Sequence, residues 1–131
     1  MRFTEHELTA ALTGAAKSIV AAKDKDVRRG RRDAEDAWSA LSRYERFQIV
    51  SGLGDQLLPV LVDLPDVEVE SGTRPTFTDE QIAASVEARM GGERGIRRKA
   101  LAKARVALVK VALSHVPPRS DPDALTVPDH L

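Results

Sequence analysis

Three histidines, His6, His115 and His130, are the first candidates for acid–base or metal chemistry, and their spacing supports neither. No His-x3-His or comparable pair occurs, so no two imidazoles share a helix face as a metal site requires. His6 falls in the first turn of a helix and reads as solvated. His115 projects onto an apolar band in a helix's last turn, where the helix dipole favours its cation and burial opposes it. The reading is a hydrogen-bonded histidine at the edge of the core. His130 lies with Asp121, Asp123 and Asp129 in a polar terminal stretch. Nothing there fixes the geometry a cation needs.

Among the carboxylates, Glu45 stands out. Projected at 100° per residue, Ala34, Ala37, Trp38, Leu41, Tyr44 and Ile49 share one helix face, and Glu45 lies between Trp38 and Ile49. A carboxylate there is expected to be buried, and burial is costly unless the group is paired or protonated. Glu45 and His115 are therefore the candidate buried polar residues. Glu45, Tyr44 and His115 would form a pocket only if the fold brought them together. No catalytic residue is assigned.

Other chemistries are missing their parts. The chain has no cysteine, which excludes disulfides, thiol nucleophiles and thiolate metal sites. Gly91-Gly92-Glu93-Arg94-Gly95 lacks the lysine-threonine ending of a P-loop and follows a helix rather than a strand. Ser51-Gly52-Leu53-Gly54 lacks the strand that a nucleophile elbow requires. Neither a cofactor nor a metal is implied.

The strongest chemical signal is cationic. Arg28, Arg29, Arg31 and Arg32 surround Gly30, and a second cluster over 94–105 includes Arg97, Arg98, Lys99, Lys103 and Arg105. Such groups can neutralise several phosphates, and arginine adds bidentate geometry. Ile82–Arg98 does not fit a helix-turn-helix, because the helix that follows is far too long for a recognition helix. Nucleic-acid binding through the two clusters is the alternative functional expectation.

Helices must position these groups. Phe3-Thr4-Glu5-His6-Glu7-Leu8 and Phe77-Thr78-Asp79-Glu80-Gln81-Ile82 are near-identical helix starts. In each, the threonine caps, the Glu or Gln three residues later reaches back, and the phenylalanine staples onto Leu8 or Ile82. Convergent capping explains the likeness better than duplication, since the sequences diverge afterwards. Spacing predicts a first helix from about Glu5 to Lys23, interrupted by Gly14, where a close neighbour would favour a missing side chain. A break follows near Gly30, then a helix from Asp33 to about Val50 and a break or kink at Ser51–Asp55. Leu57, Leu58, Val60, Leu61, Val62 and Leu64 follow with little polar interruption, so this piece is expected to be buried on all sides.

Val67-Glu68-Val69-Glu70 alternates with period two and fits a short extended edge segment. The second stapled helix runs to about Met90 and ends at Gly91-Gly92. The last helix, about Glu93 to Val116, is apolar on two flanks. One band is Ala100, Leu101, Ala104, Ala107, Leu108, Val111 and Ala112. The narrower one is Ala102, Val106, Val109, Leu113 and Val116, and between them runs a ridge of Lys99, Lys103 and Lys110. Pro117-Pro118 stops the helix.

Composition agrees. With 42% apolar, 31% charged and only 4% aromatic residues in 131, the chain reads as one soluble domain whose core is aliphatic. Its zero net charge is segregated: residues 1–32 carry eight basic and four acidic groups, 33–87 three and twelve, 88–119 nine and one, 120–131 none and three. Basic helices are therefore expected against acidic ones. No apolar run approaches the ~20 residues of a membrane span, and no signal peptide is evident. The expectation is an all-α bundle of about five helices over residues 1–118, with an extended polar tail over 119–131. Its expected role is that of a non-enzymatic cytoplasmic interaction module. Self-association as a homodimer is expected through Val106, Val109, Leu113 and Val116, with another protein as the alternative partner.

Overall fold

A computed structural model describes residues 1–90 and 95–119. It contains six helices and, among the described residues, no strand. They are α1 (Glu5–Lys23), α2 (Lys25–Arg28), α3 (Ala34–Ser39), α4 (Arg43–Asp63), α5 (Asp79–Ala88) and α6 (Gly95–Ser114). The all-α class stands. The Gly91-Gly92 turn and the acidic tail with His130 lie outside the described residues.

Both capping boxes form as their letters dictate. Thr4 Oγ1 accepts from the Glu7 N–H (3.1 Å) while Glu7 Oε1 accepts from the Thr4 N–H (2.8 Å). Thr78 and Gln81 repeat the reciprocal pair at α5. A third capping box, Ser42 with Glu45, opens α4. It breaks the helix expected from Asp33 to Val50 into α3 and α4, because Ser42 gives the backbone a cap where the longer helix would have continued.

From Ser42 onward α4 is continuous, through Ser51–Asp55 and past Pro59, to Asp63. The expected break at 51–55 does not occur. Gly52 and Gly54 each cost a helix ~1 kcal/mol relative to alanine, but Leu53, Leu57, Val60 and Leu61 regain more by burial. Pro59 removes one rung of the helix; it and Asp55, whose carbonyl loses that partner, both face water. Residues 57–64 are not buried all round: Val62 is 59% exposed, and the inward stripe keeps the ordinary amphipathic spacing.

The core lies between α1, α4, α5 and α6, around Ala15, Leu57, Val60, Leu61, Leu64, Val86, Val109 and Val116. Helix α1 is central and packs on α3, α4 and α6. Gly14 is occupied from above by the His115 side chain: a Cβ built on it would lie 2.1 Å from His115 Cγ. Helices α5 and α6 are antiparallel, since Arg98 pairs with Glu87 at one end and Lys110 with Asp79 at the other.

The charge blocks meet as expected. Lys17 pairs with Glu35, Arg89 with Asp63, Arg98 with Glu87 and Lys110 with Asp79, each joining a basic segment to the acidic middle. The segment 67–70 forms no strand, although Val67 and Val69 are half-buried and Glu68 and Glu70 exposed. The pairing occurs one turn later. The Gly72 N–H donates to the Arg119 carbonyl (2.8 Å) and the Arg119 N–H to the Thr73 carbonyl (2.9 Å). Gly72, at φ +80°, supplies the left-handed backbone of the turn that precedes this pairing. Arg119 therefore belongs to the folded body, which extends one residue beyond the expected limit of 118.

Candidate functional site

The geometry of α6 reverses the expected roles of its two bands. Val109 and Val116 are fully buried in the protein's own core, with Val106 and Leu113 half-buried against it. These four residues are not free to meet a second copy, which corrects the expectation of self-association through them. Side-chain size explains the outcome. Burial is worth ~25 cal/mol per Å2 of apolar area, so a band of Val and Leu gains more inside than a band rich in Ala.

The other band is left outside over its first half, while Leu108 and Val111 pack against the core and Ala112, its last member, is fully buried. Ala100, Ala104 and Ala107 are exposed, Leu101 is 38% exposed, Ile96 is 87% exposed, and Leu108 and Val111 are half-buried. Over residues 95–104 every residue except Arg98 and Ala102 is exposed, though Leu101 keeps only 38% of its surface, so the described residues leave much of the first half of α6 uncovered. Cations flank this face. Helix α6 carries Arg97, Arg98, Lys99, Lys103, Arg105 and Lys110 and no Asp or Glu. Arg98 is committed to Glu87 through Nε (3.1 Å) and Nη2 (2.5 Å), and Lys110 to Asp79 (2.7 Å). Arg97, Lys99 and Lys103 are exposed and form no ion pair among the described residues.

In the first cluster, Arg28, Arg29, Arg31 and Arg32 are all exposed. Among the described residues only the Arg32 side chain is engaged, with Asp24 Oδ2 (3.3 Å) and the Asp36 carbonyl (3.4 Å). Gly30, at φ +72°, provides the break after α2.

Neither of the two candidate buried polar residues is buried: Glu45 and His115 are both exposed, contrary to expectation. The break at Ala40–Ser42 resets the helical phase, so the projection carried through from Asp33 puts Glu45 on the wrong face. It serves as the third residue of α4, and its hydrogen bonds with the Ser42 backbone and side chain hold its carboxyl below the ordinary value. The signal was legible, because Ser42-x-x-Glu45 has the pattern of the other two helix starts. His115 lies just past the end of α6, its side chain over Gly14 and its Nε2 3.3 Å from Ser18 Oγ, with the residue as a whole exposed. It and Glu45 form no joint site in the structure: His115 is held by α1, and Glu45 caps α4.

The buried carboxylate that projection missed is Glu7. It is 4% exposed and accepts from Arg119 Nε (3.2 Å) and Nη2 (3.3 Å) as well as from Thr4. Burial pushes its carboxyl up, and the Thr4 backbone bond and the Arg119 guanidinium together outweigh burial, leaving it below the ordinary value. Arg119 also donates to the Arg2 carbonyl (2.8 Å), so Glu7 ties the chain after α6 to the start of α1.

Two cavities open on the surface. One, of about 300 Å3, lies between the 74–82 segment and the end of α6, and the other, of about 230 Å3, lies beside Glu7 and Pro117-Pro118. Among the described residues no group of three or more His, Asp or Glu side chains could hold a metal ion, and no helix is long and apolar enough to cross a membrane. No family model matches this chain, and no curated protein and no solved structure matches it.

Proposed function

We propose that the protein is a non-enzymatic helical interaction module that docks an acidic amphipathic helix on the outer face of α6. The observation that carries this reading is an apolar stripe that the described residues leave largely exposed on a helix of exclusively basic charge. Helices in water draw most of their stability from packing an apolar face, and the described residues cover little of the first half of α6. Ala100, Ala104 and Ala107 leave a shallow groove in which a second helix can approach to the 8–10 Å typical of close packing.

Charge selects the partner. A symmetric pairing of α6 with a second copy would set Arg97, Lys99 and Lys103 against their own equivalents, and like charges in register cost affinity. An acidic helix meets the same cations as counter-ions. The chain is therefore expected to be a monomer alone and to associate when an acidic partner is supplied.

A designed acidic amphipathic helical peptide, labelled for fluorescence anisotropy, tests this beside the same peptide with its charges reversed. The acidic peptide is expected to bind, to weaken as salt rises, and to lose binding to Ala104→Asp and to the double variant Lys99→Glu/Lys103→Glu. Equal binding of both peptides, or binding indifferent to these substitutions in folded protein, refutes the reading. A salt-resistant dimer in sedimentation, broken by Ala104→Asp, would replace the acidic partner with a second copy.

Arg28, Arg29 and Arg31, exposed and in no ion pair among the described residues, favour a second reading, a nucleic-acid-binding accessory protein. Binding of single- or double-stranded DNA or RNA would then fall steeply with salt. Replacing Arg28, Arg29 and Arg31 by alanine would flatten that slope. No binding to any of these polymers at low salt would remove it.

A further inference from the structure

We infer that the cavity at the junction of α5 and α6 binds a small monocarboxylate with an apolar body, of the size of a medium-chain fatty acid. Its walls are apolar: Ile82 is buried, and Phe77 and Leu113 are half-buried on either side. Phe77 precedes the Thr78 cap and lines the same cavity as Ile82, the residue it would staple. Its volume is about 300 Å3. At ~30 Å3 of liquid volume per water, that is room for on the order of ten heavy atoms. Pockets for small ligands begin at about this size and combine apolar walls with few polar groups.

The polar groups fix the ligand's charge. The lining carries three ionic side chains, Arg74, Lys110 and Asp79. Lys110 and Asp79 neutralise each other at 2.7 Å. That leaves Arg74, whose Nη1 donates to the Ser114 carbonyl (3.1 Å) and which forms no ion pair among the described residues. A guanidinium has five N–H donors in a planar fork matched to a carboxylate, and four of these meet no acceptor among the described residues. The lining thus has one positive charge in excess and one unspent bidentate donor beside an apolar wall. A monoanion neutralises the first, a carboxylate fits the second, and an alkyl chain fills the space between Phe77 and Leu113. A dication or a polyphosphate would match neither the volume nor the charge.

The test uses the full chain, 15N-labelled, titrated with sodium octanoate, 1-octanol and octylammonium chloride while backbone amide resonances are followed. Octanoate has ten heavy atoms. It is expected to give saturable shifts at Arg74, Phe77, Lys110 and Leu113, with octanol at least tenfold weaker and octylammonium weaker still. Arg74→Gln should lower octanoate affinity tenfold or more and leave octanol binding unchanged. Arg74→Lys, which keeps the charge and loses the fork, should lie between wild type and Arg74→Gln. Arg74 is exposed, so these variants keep the fold. The inference is overturned by equal affinity for octanoate and octanol. It is equally overturned by the absence of saturable shifts at 10-fold molar excess and above, or by shifts confined to other parts of the chain.

Discussion

Gly14→Ala separates two opposing effects of known sign. In an open helix the substitution stabilises by ~1 kcal/mol, since alanine loses less backbone entropy. At Gly14 the new Cβ would fall 2.1 Å from His115 Cγ and 2.5 Å from both His115 Cβ and Cδ2. Two of those atoms are at the root of the side chain, so the imidazole cannot swing clear at its tip. The backbone at residue 115 or the whole of α1 must shift, an overpacking that costs ~1–3 kcal/mol. Displacing the ring also breaks its bond to Ser18, worth a further ~1 kcal/mol. The net is a loss of about 2 kcal/mol, or roughly 6–10 °C in Tm for a chain of this size.

Thermal and urea unfolding followed by circular dichroism at 222 nm measures this directly. Gly52 is the internal control: it lies in α4 with nothing within 4 Å of a built Cβ, so Gly52→Ala should stabilise by ~0.5–1 kcal/mol. In a His115→Gly background, Gly14→Ala should also become stabilising. If Gly14→Ala raises Tm in the wild type by as much as Gly52→Ala does, the packing of His115 on α1 is refuted.

Three further outcomes are expected. Glu7→Gln should destabilise at neutral pH by ~1–3 kcal/mol by leaving Arg119 without its carboxylate. Because the folded Glu7 carboxyl lies below its unfolded value, its contribution is present above that unfolded value and is lost as pH falls through the folded one. The gap between wild type and Glu7→Gln should therefore close on acidification in pH-dependent unfolding, and a constant gap would contradict the assignment. Val109→Ala, deleting two buried methyl-sized groups, should cost ~2 kcal/mol in urea unfolding, whereas Leu101→Ala should cost well under ~1. The reverse order would mean that the outer band of α6 is the buried one. NMR titration of Glu45 should give a carboxyl below the ordinary 4.5, rising part of the way back in Ser42→Ala, where only the side-chain bond is lost.

Local chemistry in the sequence determined the helix starts and the helical class. Thr4, Thr78 and Ser42 each precede a Glu or Gln by three residues, and the reciprocal hydrogen bonds need nothing from the rest of the fold. The same holds for Asp33, which caps α3, and for Gly30 and Gly72, whose positive φ marks turns. Interruptions in α4 were harder to read, because Gly52, Gly54 and Pro59 are locally unfavourable and the burial that outweighs them depends on partners far along the chain. The Glu45 error had a local remedy in the Ser42 box, where the cap outweighs an apolar projection carried through it.

Tertiary structure alone decided which flank of α6 turns inward, what lies over Gly14, and which carboxylate is buried. Periodicity reports that two faces are apolar, but burial is a property of neighbours, and α1 and α5 choose the face that offers the larger side chains. Glu7 and Arg119 are 112 positions apart, and Gly14 and His115 are 101 apart. No spacing rule spans such distances, because they are set only when the chain after α6 folds back along α1. The outer face of α6, with its alanines and unpaired cations, became visible as a surface for the same reason: its rival was taken into the core.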